Sequence, residues 1–167
     1  MQNIDAEVVP LANNTNTMAH EQTLLLSIWD ASQHKIGSAL NLITPENAKA
    51  RLQPTTASAG YLLRHVVEGQ LILLKMMFHL PIPFEPTQSR GEVDTGKEWD
   101  VETTRHTLEL GAQAGRELIQ SMPPAHWLEE VEVPPFGTRT RIAFLCTIMN
   151  HSAHHVGQAE LAMKRGL

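Results

Sequence analysis

The chain has 167 residues, 42% of them hydrophobic and 19% charged, with 13 Lys and Arg against 18 Asp and Glu and a net charge of −5. That length suits one domain able to bury roughly 70% of its unfolded surface, and 13 scattered basic residues give no phosphate-binding face, so no nucleic-acid partner is expected. A single cysteine, Cys146, excludes an intrachain disulfide and any thiolate cluster, which leaves a metal site only nitrogen and oxygen ligands.

In chain order, residues 1–17 read as a flexible polar tail without the basic and apolar regions of a signal peptide, and residues 18–167 as the folded domain. No apolar run is long enough to span a membrane, so the expected location is cytoplasmic. The ten prolines leave four long proline-free stretches, and because an internal proline breaks a helix these predict helices at 20–43, 57–79, 98–121 and 138–165. Thr44-Pro45-Glu46 offers an N-cap followed by proline at the first helical position, predicting a short extra helix over 45–52. The Pro- and Gly-rich connection over 80–97 can run the length of a bundle, which permits an up-down-down-up order. Only LEEVEV, residues 128–133, alternates in the manner of a strand, and it is too short to build a sheet. The expected fold is all-α, a four-helix bundle.

The fourth helix carries His151, His154 and His155. At about 100° per residue, Ile142, Leu145, Met149, Val156 and Met163 form an apolar stripe; His151 and His155 share one flank of it, whereas His154 points away. An i, i+4 histidine pair can grip one ion. In the second helix His65 lies on the apolar face with Leu62, Gly69, Ile72 and Met76, so it points inward and offers a third ligand. Glu68, on the edge of that face, is a candidate ligand, a partner orienting an imidazole, or a general base. Each residue alone has a simpler reading: a surface pair for His151 and His155, a hydrogen-bonded core histidine for His65, a solvated edge for Glu68. Cys146 reads as a small apolar residue near the core edge, Asp30 and His34 as a surface pair, and Trp29 and Trp99 as packing residues. Tyr61, one turn before His65, is placed to donate a hydrogen bond near the site.

LLRHVVEGQ in the second helix and NHSAHHVGQAEL near the C-terminus together resemble the DinB-like (DNA-damage-inducible) metalloenzyme family, over about residues 22–165. The H-x-x-H-H-x-G-Q segment is the most specific part. The resemblance implies an up-down-down-up bundle, usually a homodimer, holding a divalent ion such as nickel or zinc through His65, His151 and His155. Gly157 and Gln158 match the Gly-Gln that follows the last ligand, which makes Gln158 a candidate cofactor-binding residue, whereas Val156 stands where the family often has arginine. Members of known activity use the metal to activate mycothiol, bacillithiol or glutathione. The resemblance therefore implies a thiol-dependent S-transferase or a hydrolase acting on a small-molecule substrate. The alternative is a non-catalytic metal-binding or stress-related interaction protein.

Overall fold

A computed structural model describes residues 14–81, 94 and 100–166. Four helices dominate, α1 (Asn14–Leu42), α2 (Ala59–Phe78), α3 (Val101–Ser121) and α4 (Arg141–Arg165), with a small hairpin of β1 (Glu130–Val133) and β2 (Gly137–Thr140) before the last helix. The four predicted helices are present. Residues 14–17 of the predicted tail are helical, and the remainder of it lies outside the described residues, as does Trp99.

Two predictions are corrected. The short helix expected over 45–52 is a single 3-10 turn, Asn47–Lys49. The Asn47 side chain ties this turn back to the end of α1, accepting from Thr44 N at 2.7 Å and donating to Leu42 O at 3.0 Å, after which Ala50 is extended. The second correction is the hairpin. Four alternating residues do suffice when a partner follows at once: Glu130 pairs with Thr140 and Val133 with Gly137, so residues 138–140, expected in the last helix, form a strand. Phe136 N donates to Val133 O at 2.6 Å across the turn, and Gly137 takes φ 75°, a conformation costly for any residue with a Cβ. An isolated hairpin is marginal in water, but Val133 is buried and Val131 and Phe136 pack on the helices.

Local chemistry sets the helix starts. Ser58 accepts from Tyr61 N at the start of α2, Asp100 from Glu102 N and Thr103 N at α3, and Thr140 from Ala143 N at α4, each satisfying otherwise orphaned amides. Asp94 accepts from Ser58 N at 2.9 Å and pairs with Arg51 at 2.8 Å, fastening one point of the connection between α2 and α3 to the beginning of α2.

α1 lies antiparallel to α3: Gln22 reaches Gln120 O, Trp29 Nε1 donates to Ala112 O at 3.0 Å, and Arg105 holds Leu40 O. Asp30, expected to pair with His34, instead bridges to Arg116 of α3 at 2.6 Å. α2 likewise lies antiparallel to α4, its first half against the second half of α4, and two apolar clusters fill the interior. One gathers Ile36, Leu40, Leu63, Val67, Val156 and Ala159; the other gathers Trp29, Leu74, Ile119, Phe144 and Ile148. Each fully buried Val, Leu, Ile or Phe side chain among them contributes on the order of 1.5–3 kcal/mol. Along α4 the clusters meet between Ile148 and Val156, and along α2 between Val67 and Leu74. That seam is polar. It contains Glu68 and Gln70, both buried, and Gln70 exchanges two hydrogen bonds with Gln33 of α1, at 2.9 and 3.1 Å. His151 falls in the same interval.

Candidate metal centre

α2 is apolar around most of its circumference, because it is buried on several sides at once: Leu63, Val66, Val67, Leu71 and Leu74 are all enclosed. A single apolar face therefore misplaces two of its residues. Met76, expected inside, is exposed, and Glu68, expected on an edge, is fully buried. Glu68 accepts from Arg64 Nε one turn earlier, an ion pair with little solvent contact.

His65, on the same turn, projects toward α4, where it meets His151 and His155. One ring nitrogen from each of the three lies within 4.8 Å of the others, and all three residues are half-buried. Among the described residues no carboxylate or thiol joins this group. The rings meet edge to face, with centroids 5.1 Å apart for His65 with each partner and 4.7 Å between His151 and His155. Tyr61 stacks nearly parallel to His65, at 6.3 Å and 8°. His154 is exposed, with its ring against His155 at 4.9 Å, and so lies outside the triad as its helical position predicts. Cys146 is exposed rather than part of the core edge.

The atoms fit a divalent ion. His65 Nε2 and His151 Nε2 are 3.2 Å apart, and two imidazole nitrogens each about 2.0–2.1 Å from one tetrahedral ion are separated by about 3.4 Å. Two N–H groups cannot both point into so short a gap, so at most one proton fits between these facing nitrogens, whereas a cation takes both lone pairs. Nδ1 of His65 and Nδ1 of His151 are buried with no hydrogen-bond partner, an arrangement whose cost calls for a compensating interaction at these rings. His155 differs. Its Nδ1 lies 2.7 Å from Gln158 Oε1, and since a carbonyl oxygen only accepts, Nδ1 holds the proton and Nε2 keeps its lone pair.

Electrostatics push the same way. Burial, followed by the neighbouring His155, His65 and His154, lowers the His151 pKa from 6.5 to about 4. Burial also lowers the His155 pKa, against the opposing hydrogen bond that its ring donates to Gln158. Both are held neutral at pH 7, the form that ligates a metal.

Gln158, expected at a cofactor, thus touches a histidine ring. The Gln33–Gln70 and Arg64–Glu68 pairs have a faint signature in sequence, polar residues inside an otherwise apolar helix. The profile of the DinB superfamily matches residues 28–159. The crystal structure of a DinB-like protein from Bacillus cereus ATCC 10987 superposes with a TM-score of 0.68, covering 84% of this chain and 89% of that one at 20% sequence identity, which shows a shared fold. No curated protein matches the chain.

Proposed function

Because the chain belongs to the DinB superfamily, we propose that it is a metal-dependent enzyme, holding a divalent ion, nickel or zinc, through His65, His151 and His155 and acting as a thiol-dependent S-transferase or a hydrolase. The observation that carries this reading is the count of ligands: three imidazoles gather with no fourth protein ligand among the described residues. Structural zinc sites close with four protein ligands, whereas catalytic ones keep a position open. When bound, the ion supplies Lewis acidity that lowers the pKa of a thiol or water toward neutrality.

The remaining steps belong to the chain. Gln158 fixes the tautomer and orientation of His155, so this reading makes it a positioning residue. Glu68, expected as a general base, enters as the buried anion that holds Arg64 on the turn of α2 carrying His65. Tyr61 braces the other face of the His65 ring. Burial of His151 and His155 keeps both rings unprotonated at the pH where the substrate arrives. Family membership also supports a homodimer, which light scattering of the purified chain tests. Among the described residues no helix is long and apolar enough to cross a membrane.

Thermal-shift screening of zinc- and nickel-loaded protein against bacillithiol, mycothiol and glutathione tests the substrate class, since a ligand of the folded state raises the melting temperature. The expected result is one thiol that stabilises the loaded wild type and not His65→Ala. If none of the three does so, the thiol-transferase reading fails.

A further inference from the structure

We infer that Gly69 is the seat of His151, a positioning residue through which α2 sets the spacing of the three rings; this rests on the metal-binding reading above. Gly69 lies one turn beyond His65 on the same face of α2 and is buried. Glycine in the middle of a helix is unfavourable by about 1 kcal/mol relative to alanine, so its presence there calls for a reason. A Cβ at position 69 would stand 3.1 Å from His151 Cε1 and 3.8 Å from His151 Nδ1, and outside its own chain neighbours and helix backbone no other described atom lies within 4 Å of it. The space left by the missing side chain is therefore filled by this one ring, with no backbone of a facing helix approaching it.

The consequence follows from the geometry of imidazole. Cε1 is bonded directly to Nε2, the ring is rigid, and a shift of Cε1 carries Nε2 with it. Relieving a 3.1 Å contact takes a few tenths of an ångström, and the His65 and His155 rings stand around His151 at 5.1 and 4.7 Å. Such a shift exceeds the roughly 0.2 Å tolerance of a metal–ligand bond. One turn of α2 thus supplies a ligand at 65 and, by lacking a side chain at 69, sets where the facing ligand sits.

Cobalt(II) serves as the probe because its visible absorption reports coordination geometry. Gly69→Ala in the full chain is expected to bind Co2+ 10- to 100-fold more weakly than wild type, the range seen on disturbing the surroundings of metal ligands, and to show an altered visible spectrum. A purely structural role would change the metal-free melting temperature and leave the spectrum alone. A double-mutant cycle adds a readout free of metal: the change in melting temperature caused by Gly69→Ala is less favourable in the metal-free wild type than in His151→Ala, where the added methyl has no ring to meet and only the helix-propensity gain remains. This comparison also covers a single variant too unstable to load, because folding recovered in the double variant is then the expected result. Equal Co2+ affinity and identical spectra in wild type and Gly69→Ala overturn the role of Gly69 alone. Wild type that takes up no Co2+ overturns the metal reading itself and this inference with it.

Discussion

At the scale of single residues, the site is defined by which nitrogen of each ring holds a proton. Gln158 answers this for His155 by accepting from Nδ1 at 2.7 Å. Gln158→Leu keeps the volume and removes the acceptor, and is expected to weaken zinc binding by roughly 10- to 100-fold while leaving the far-ultraviolet circular dichroism unchanged. His151 makes a different prediction. Its pKa falls from 6.5 in the unfolded chain to about 4 in the folded one. Above pH 6.5 both states are neutral there and nothing is lost; as the pH drops below 6.5 the unfolded chain takes up a proton that the folded chain refuses. The metal-free protein should therefore lose stability between pH 6.5 and about 4, with His155 adding to the loss in the same direction. Urea midpoints measured across that window should slope less in His151→Ala; an unchanged slope contradicts the assignment.

At the scale of elements, what could be read in advance depended on whether a pattern had one cause. The four helices were legible because proline positions and N-caps act locally. Thr140 begins α4 as any N-cap does, whereas the strand before it is not apparent from local pattern, because pairing of Gly137–Thr140 with Glu130–Val133 is a contact that only the partner strand reveals. Likewise the inward positions of His65, His151 and His155 follow from a wheel, whereas burial of Glu68 does not, since α2 is enclosed on several sides and its periodicity no longer marks one face. Close helix contacts were also illegible. Gly115 of α3 is an example: a Cβ there would lie 2.2 Å from Trp29 Cζ2, and Trp29 is held by its bond to Ala112 O. Gly115→Ala overpacks this contact and is expected to cost about 1–3 kcal/mol or more, read as a melting temperature lower by roughly 2–4 °C per kcal/mol. A variant that melts with wild type contradicts this packing.

At the scale of the whole molecule, two apolar clusters meet at a polar seam, and the three rings span it from α2 to α4. An ion bound there ties the two helices together, so binding and folding are coupled. At a free zinc concentration of 100 times Kd the folded state gains about 2.7 kcal/mol, and chelation should reverse the accompanying rise in melting temperature. The central claim is that these three side chains share one ion. Calorimetric titration of the metal-free, full-length chain with Zn2+ tests it most directly, with His65→Ala titrated alongside. The account predicts close to one ion per chain for wild type and loss of that site in the variant; no binding to wild type, or equal binding by both, contradicts it.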